Sequence, residues 1–395
     1  MSDISIPNFR FKKYTSNLVK MRLSKIATFN PKSSLPENFK YIDLESVLGT
    51  ELVSYREETR ESAPSRAQRV AQKGDVFFQM VRPYQKNNYL FDLNENNYVF
   101  STGYAQLRPK VDSAFLLARL QEEGFVNKVI ERCTGTSYPA INSKDLSRIS
   151  ITIPEDLEEQ SAIGSLFRTL DVLLASYKDN LANYQSLKTT MLSKMFPKVG
   201  QRVPEIRLDG FEGEWTIKRA DEIFKSVSEK NRASLPVLSA SQIVGMVLRD
   251  EIGIDIKYDE DTLNNYKVVK PGQFVIHLRS FQGGFALSKL EGVTSPAYTI
   301  IDFIDKKDNI PDFWNSILTS RDFIKRLETV TYGIRDGKSI SFKDFSSLKF
   351  AYPELEEQQA IGSYFSNLDQ LITSYQEKIT QLETLKKKLL QDMFI

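Results

Sequence analysis

Cysteine and histidine are almost absent from this chain of 395 residues, which has one of each, Cys133 and His277. A single cysteine excludes an internal disulfide framework and a cysteine-rich zinc site. A single histidine excludes paired-histidine metal motifs and leaves one candidate for a serine–histidine or cysteine–histidine couple. Because His277 lies in the β-rich run QFVIHLR, we favour a structural strand position over a general base.

Long hydrophobic runs are also missing, since charges interrupt the apolar stretches well before the ~18 residues that a membrane span needs. The N-terminal sequence MSDISIPNFRFKK has no apolar core of the kind found in signal peptides. With 41% hydrophobic and 26% charged residues, the composition is typical of a globular protein of two or three domains. These features predict a cytoplasmic protein.

The charge is balanced overall and uneven along the chain. A net charge of +2 argues against non-specific coating of nucleic acid. The first 40 residues nevertheless carry eight basic side chains against two acidic ones. A solvated basic face and a nucleic-acid-binding face both fit this cluster.

An internal repeat is the strongest feature of the sequence. Residues 157–196 (LEEQSAIGSLFRTLDVLLASYKDNLANYQSLKTTMLSKMF) align without a gap to residues 355–394 (LEEQQAIGSYFSNLDQLITSYQEKITQLETLKKKLLQDMF), and 19 of the 40 pairs are identical. Such agreement at a constant offset indicates a duplication.

Each copy predicts a long helix with an apolar seam, because its apolar residues recur in alternating steps of four and three. About 40 residues at ~1.5 Å each give a rod of roughly 60 Å. The seam that we predict to form the helix–helix interface consists of Ile163, Phe167, Leu170, Leu174, Tyr177 and Leu181 in the first copy and Ile361, Phe365, Leu368, Ile372, Tyr375 and Ile379 in the second.

The repeat extends more faintly into the segments before each helix. Residues 73–91 resemble residues 271–288, since both contain a glycine, a strand-like run and then Arg-x-aromatic-Gln. The segment GFEGEW (210–215) has no counterpart in the first half, so the pairing of the N-terminal segments stays open.

The duplication predicts a mixed α/β fold with two pseudo-symmetric α/β domains, residues 1–153 and 204–352. Two long coiled-coil helices, residues 154–197 and 353–395, separate them. The linker at 198–203, which contains Gly200 and is flanked by Pro197 and Pro204, is short, which makes the second helix run back antiparallel to the first. Two unlike domains on a rigid spacer fit a DNA duplex that has two tracts at a fixed gap.

The loop after the first strand of each repeat has side chains suited to base recognition. Arginine binds guanine bidentately, and asparagine or glutamine binds adenine in the same way. A plain hairpin loop is the alternative. The candidate DNA contacts are Arg82, Tyr84, Gln85, Lys86, Asn87 and Asn88 in the first half and Arg279, Phe281 and Gln282 in the second.

A second candidate loop lies in TYGIRDGKSISFKDF (331–345), whose Gly-Lys-Ser is reminiscent of a phosphate-binding P-loop. A P-loop requires four residues between its first glycine and Gly-Lys-Ser/Thr, whereas only three separate Gly333 from Gly337. A nucleotide site is therefore excluded. Arg335, Lys338 and Ser339 remain candidates for a DNA phosphate, with Ser137 and Tyr138 as first-half equivalents; a purely structural turn is the alternative.

Three segments resemble the specificity subunit of type I restriction-modification enzymes. They are VPEIRLDGFEGEWTIKRADEIF (203–224), GIRDGKSISFKDFSSLKFAYPELEEQQAIGSYFSNLDQLI (333–372) and YPAINSKDLSRISITIPEDLEEQSAIGSLFRTLD (138–171). The resemblance implies two target-recognition domains, each of which reads one half of a split, asymmetric site in double-stranded DNA. It also implies two modification subunits that use S-adenosylmethionine to methylate adenine, and two restriction subunits that use ATP and Mg.

The resemblance implies that this chain has no catalytic residue, metal or cofactor of its own. A self-sufficient methyltransferase or nuclease is one alternative, but the sequence has no Asn/Asp-Pro-Pro-Tyr motif and no intact P-loop. It also has no cluster of acids with a nearby lysine for metal-dependent cleavage. A coiled-coil interaction scaffold without sequence-specific DNA binding is the other alternative.

Overall fold

The computed structural model describes residues 7–241, 244–252, 260–277, 284–330 and 341–394. The chain divides into two compact units, Met1–Asp179 with Gln376–Ile395, and Asn180–Tyr375. The first unit therefore combines the N-terminal part of the chain with its C-terminal end. The predicted domain boundaries stay a prediction.

The first unit is mixed α/β. Its sheets have the strand orders β1-β12, β6-β3-β10-β7, β2-β11-β8-β9 and β4-β5. The strands are β1 (Leu18–Arg22), β2 (Ala27–Phe29), β3 (Asn38–Ile42), β4 (Val47–Leu48), β5 (Glu51–Leu52), β6 (Arg56–Thr59), β7 (Ala67–Val70), β8 (Val76–Gln79), β9 (Tyr89–Leu90), β10 (Tyr98–Ser101), β11 (Tyr104–Pro109) and β12 (Ser150–Pro154). The helices are α1 (Leu23–Ile26), α2 (Ser113–Gln121), α3 (Glu123–Ile130), α4 (Ser143–Ser147) and the start of α5 (Leu157–Lys194).

The second unit repeats this plan. The strands are β13 (Thr216–Arg219), β14 (Phe224–Val227), β15 (Leu238–Ser241), β16 (Gly245–Leu248), β17 (Lys267–Val269), β18 (Phe274–Ile276), β19 (Phe285–Leu287), β20 (Gly292–Thr294), β21 (Thr299–Phe303) and β22 (Lys349–Tyr352). The helices are α6 (Ala220–Ile223), α7 (Pro311–Leu318), α8 (Arg321–Val330), α9 (Phe342–Ser346) and the start of α10 (Leu355–Met393). Its sheets have the orders β13-β22, β14-β21-β18-β19, β15-β16 and β17-β20.

The two units share a topology. The central sheet β2-β11-β8-β9 of the first unit has the same order as β14-β21-β18-β19 of the second. The first strand of each repeat also pairs antiparallel with the strand before its long helix, as β1 with β12 and β13 with β22. The predicted mixed α/β class and the predicted long helices are confirmed.

In each unit an ion pair connects the segment before the first strand of the repeat, β1 or β13, to the start of the long helix that follows the repeat, α5 or α10. Arg10 donates from Nε and from a terminal nitrogen to the two carboxylate oxygens of Glu159, at 2.6 and 2.7 Å. Arg207 binds Glu357 in the same bidentate way, at 2.7 and 2.6 Å. The N-terminal segments therefore have equivalent roles, although their sequences left this pairing open.

The glutamine after each of these glutamates connects the long helix to the preceding segments. Gln160 donates to the Pro154 carbonyl oxygen at 2.8 Å and accepts from the backbone N–H of Asp112 at 3.1 Å. Gln358 donates to the Pro353 carbonyl oxygen at 2.9 Å and accepts from a backbone N–H before α7. These bonds satisfy buried polar groups, which explains why the duplicated helices share their opening residues.

A glycine one turn further allows a second helix to approach closely. A Cβ atom on Gly164 would lie 2.6 Å from the backbone nitrogen of Phe115, in α2. A Cβ atom on Gly362 would lie 2.9 Å from the backbone nitrogen of Phe313, in α7. Both distances are too short for a side chain, so the shared glycine sets the packing of the domain helix against the long helix.

Segments of the two long helices pack antiparallel in each unit. In the first unit Lys178 contacts Glu383 at 2.8 Å and Lys386 forms an ion pair with Asp171. In the second unit Lys188 forms the equivalent ion pair with Asp369. The Lys386–Asp171 and Lys188–Asp369 pairs join the same two positions of the repeat. These pairs therefore help to specify the antiparallel register.

The predicted seam is buried over most of its length, and it packs against two parts of the protein. The seam residues that are buried are Ile163, Phe167, Leu170, Leu174, Ile361, Phe365, Leu368, Ile372 and Ile379, whereas Tyr177, Leu181 and Tyr375 are half-buried. The earliest seam residues of each helix belong to the core of their unit. The seam therefore packs both on the strands and short helices of its unit and on the other long helix.

The end of each long helix completes a core that the other long helix starts. Phe394 is buried against the rings of Phe115 and Phe167, whose centroids lie 5.7 and 5.8 Å away. Phe196, which follows α5, lies 5.7 Å from Phe313 and 5.9 Å from Phe365. Each unit thus consists of one set of strands and short helices, the start of one long helix and the end of the other.

Candidate nucleic-acid interface

The structure brings together the two first-half segments that the sequence predicts to contact DNA. Val81 and Ala140 form an antiparallel bridge. The backbone N–H of Arg82 donates to the Pro139 carbonyl oxygen at 2.7 Å. The loop after β8 and the loop before α4 therefore form one continuous surface.

Two residues of the first loop have left-handed backbone conformations. Arg82 has a φ of 53° and Lys86 a φ of 56°, and a 3-10 helix, Pro83–Gln85, lies between them. Such conformations are uncommon for residues with a Cβ atom and persist only where the surroundings hold them. They cluster at functional sites, which makes this loop a candidate site on backbone grounds as well.

The exposed part of the surface is aromatic and cationic. The guanidinium carbon of Arg82 lies 4.3 Å from the centroid of the Tyr138 ring, in a cation–π contact. Tyr138 is 65% exposed and Tyr84 is 50% exposed. Ser137 is also exposed, next to Tyr138. Exposed rings next to an arginine can stack on bases or on sugar edges.

The amide side chains of the loop each accept a hydrogen bond from another part of the protein. Asn88 is 1% exposed, and its Oδ1 accepts from the backbone N–H of Gln79 at 2.8 Å. Gln85 Oε1 accepts from the Gln79 side chain at 2.9 Å. Asn87 Oδ1 accepts from the backbone N–H of Gly49 at 2.9 Å, which ties the loop to the β4–β5 turn. These three amides hold the loop in shape.

Lys86 is neutralised within the protein. Its ammonium forms an ion pair with Glu123, and its carbonyl oxygen accepts from Gln121 Nε2 at 3.1 Å. The start of α3 and the end of α2 therefore anchor the far side of the loop.

The other candidate DNA contacts lie outside the described residues. These are Arg279, Phe281 and Gln282, in the segment between β18 and β19, and Arg335, Lys338 and Ser339, in the segment between α8 and α9.

The titratable groups near these segments include no catalytic pair among the described residues. Burial raises the pKa of the Cys133 thiol above its ordinary value, and the thiol donates to the Val129 carbonyl oxygen at 3.4 Å. Burial lowers the pKa of His277, which directly follows β18. Within the described ranges no group of histidine, cysteine and acidic residues could hold a metal ion.

A second cation–aromatic cluster in the first unit was not predicted from the sequence. Lys40 lies 5.0 Å from the ring centroid of Tyr55 and 4.8 Å from that of Tyr98, and Arg56 lies 5.2 Å from that of Tyr41. The rings and cations come from β3, β6, β10 and the residue before β6, so only strand pairing brings them together. Nothing in the local sequence signals this arrangement.

Among the described residues no helix is both long enough and apolar enough to cross a membrane.

Comparison with known proteins assigns the fold and the family. A solved structure of the type I restriction-modification system S subunit from M. genitalium matches with a TM-score of 0.65 at 14% identity, over 99% of both chains. A chain from a structure on complex assembly and conformational transition of the type I R-M system matches with a TM-score of 0.51 at 20% identity, over 96% of this chain and 98% of the other. These matches show a shared fold.

Sequence comparison gives the same family. The type I restriction enzyme MjaVIII specificity subunit of Methanocaldococcus jannaschii is 24% identical over 340 residues, which are 81% of this chain and 73% of that protein. The model of the type I restriction modification DNA specificity domain matches residues 58–183 and 212–384, more than half of the chain and both units. The chain therefore belongs to the family of type I restriction modification DNA specificity domains.

Proposed function

We propose that this chain is the DNA-recognition subunit of a type I restriction-modification complex and that it reads a bipartite, asymmetric site, with one half-site for each unit. The observation that carries the proposal is the repeated topology with unlike loops: the two central sheets have the same strand order, whereas the sequences after β8 and β18 differ. We propose that the shared frame presents both segments to DNA in the same way and that their different side chains select different bases.

The chemistry is assigned to partner chains. Two modification subunits with S-adenosylmethionine would methylate adenine, and two restriction subunits with ATP and Mg would cleave DNA. The family match supports a specificity role without catalysis by this chain.

Within the first unit we assign DNA contact to the exposed residues Tyr84, Ser137 and Tyr138 and to the half-buried Arg82. Asn88 supports the loop from inside because its side chain is buried. Gln85, Lys86 and Asn87 already have bonds to Gln79, Glu123 and Gly49, so we assign them to the support of the loop. In the second unit the proposal keeps the two predicted loops after β18 and α8.

The first test is selection of random duplexes by the full chain together with its modification subunits. We expect two short enriched tracts at a fixed gap. Replacing Thr136–Tyr138 by Gly-Ser-Gly should relax one tract and leave the other, because only one unit changes. A matched control replaces the exposed residues 198–200, in the loop after α5, by the same tripeptide and should change neither tract.

Three results would contradict the proposal. Enrichment of no tract would favour a scaffold without sequence-specific DNA binding. Equal relaxation of both tracts by the 136–138 replacement would contradict one half-site for each unit. Methylation by the full chain alone, supplied with S-adenosylmethionine, would contradict the assignment of catalysis to partner chains.

We further propose that α5 and α10 set the gap between the half-sites. Insertion of one heptad into each helix, after Asp179 and after Glu377, retains the seven-residue repeat of the seam. At ~1.5 Å per residue it adds about 10 Å, which corresponds to roughly three base pairs at ~3.4 Å each. The same selection should then enrich the same two tracts at a gap longer by about that number.

A heptad inserted at Gly200 is the control for this experiment. Gly200 lies in an exposed loop with open space around it, so lengthening that loop leaves both helices unchanged. We expect the original gap for this variant. An unchanged gap after insertion into both helices would rule out the spacer role.

A further inference from the structure

We propose that Arg82 reads a guanine through the edge of its guanidinium group, and that Tyr138 is the residue that positions it. The inference rests on the proposed function and goes beyond it by naming the base, the reading group and the residue that orients the reader.

The backbone of Arg82 is held from both sides. Its N–H donates to the Pro139 carbonyl oxygen at 2.7 Å, and its carbonyl oxygen accepts from the backbone N–H of Gln85 at 3.0 Å. Val81 and Ala140 pair next to it. The position from which the side chain starts is therefore determined by segments that are almost 60 residues apart in the sequence.

The side chain is oriented by a ring and keeps its donors available. The guanidinium carbon lies 4.3 Å from the ring centroid of Tyr138. In the described part of the chain the Arg82 side chain has no recorded hydrogen bond or ion pair. A guanidinium has five N–H donors in its plane, and stacking on a ring leaves that plane's edge free to bind an acceptor pair.

The surroundings favour a base edge over a phosphate. Lys86, the other cation of the loop, is already paired with Glu123. Residues 134–140 (TGTSYPA) contain no charged side chain. Phosphate contacts are mostly made by clustered cations and backbone N–H groups. A single guanidinium group with two free N–H donors instead matches the two adjacent acceptors of guanine, O6 and N7.

The left-handed backbone of Arg82 fits this role. A non-glycine residue at a φ of 53° is strained. Glycine would adopt this conformation more easily. An arginine at this position therefore makes the fold less stable than a glycine would, which indicates that its side chain has a function. The strain also offers a variant that removes the side chain without endangering the fold, Arg82→Gly.

The experiment uses the full chain with its modification subunits and the duplex that wild type selects. Each guanine of the selected tracts is replaced in turn by 7-deazaguanine, which lacks only the N7 acceptor. We expect one position at which wild type loses roughly 10-fold in affinity. Arg82→Gly should lose about 10- to 100-fold in affinity for the unmodified duplex. Its affinity should fall no further when 7-deazaguanine replaces the guanine at that position.

Tyr138 is tested as a positioning residue in the same assay. Tyr138→Leu should reduce the preference for guanine at that one position, and Tyr138→Phe should retain it because the ring is kept. The matched control is Arg56→Ala, which removes an arginine that is 59% exposed, lies over the Tyr41 ring and already has Asp43 within 3.6 Å. Arg56→Ala should leave the preference for guanine unchanged.

Three results would overturn the inference. Loss by Arg82→Gly that is equal on selected and scrambled duplexes would make Arg82 a phosphate contact. A full 7-deazaguanine effect in Arg82→Gly would assign that guanine to another residue. If wild type selects no tract, the proposed function itself fails, and the inference fails with it.

Discussion

Replacing Arg207 by methionine is expected to lower the free energy of unfolding of the second unit by about 3–5 kcal/mol. The Arg207 and Glu357 side chains are 16% and 3% exposed and are joined by two hydrogen bonds. Removing the arginine leaves a carboxylate in a site that water scarcely reaches. Burial of an unpaired charge is much less favourable than the loss of a surface ion pair.

Urea unfolding followed by tryptophan fluorescence measures this effect, because Trp215 and Trp314 are both in the second unit and are the chain's two tryptophans. The double variant Arg207→Met with Glu357→Leu should recover most of the lost stability, since no charge is then left buried.

The control for Arg207 is the neighbouring exposed pair. Arg202 lies 3.4 Å from Glu214, and both side chains are more than half exposed. Arg202→Met should therefore change the free energy of unfolding by less than about 1 kcal/mol. If Arg207→Met and Arg202→Met had the same small effect, the buried pair would not fasten the N-terminal segment.

Replacing Phe394 by alanine is expected to destabilise the first unit by about 3–5 kcal/mol. Phe394 is 7% exposed and packs between the rings of Phe115 and Phe167. Truncation removes buried apolar surface and leaves a cavity that the ring-lined site fills only in part. The effect should appear in the first unit although the residue follows the C-terminal helix.

Hydrogen exchange measures the effect of Phe394→Ala, because both tryptophans are in the second unit and fluorescence does not report on the first. Amides of α2 and of the start of α5 should exchange faster by a factor that corresponds to the lost free energy. Leu385→Ala is the control, since Leu385 is on the same helix and 45% exposed; about 0.5 kcal/mol or less is expected. Unchanged protection of α2 in Phe394→Ala would contradict the role of the helix end in this core.

Local patterns were sufficient for the elements of this fold. The steps of four and three predicted both long helices, and the constant offset between the copies predicted two units of one plan. The strand-like runs after Gly74 and Gly272 are β8 and β18. These predictions succeed because helical and strand periodicity are properties of consecutive residues.

The sequence by itself determined the family resemblance, the mixed α/β class and the two long antiparallel helices. Only the tertiary structure decided that Arg10 and Arg207 pair with equivalent glutamates of the two repeats, that Phe394 lies in the first core, that Asn88 faces inward and that Arg82 lies over the Tyr138 ring. Each of these contacts joins residues that are distant in the chain or on different elements. Their energies depend on burial and on the geometry of two surfaces, which a one-dimensional pattern does not contain.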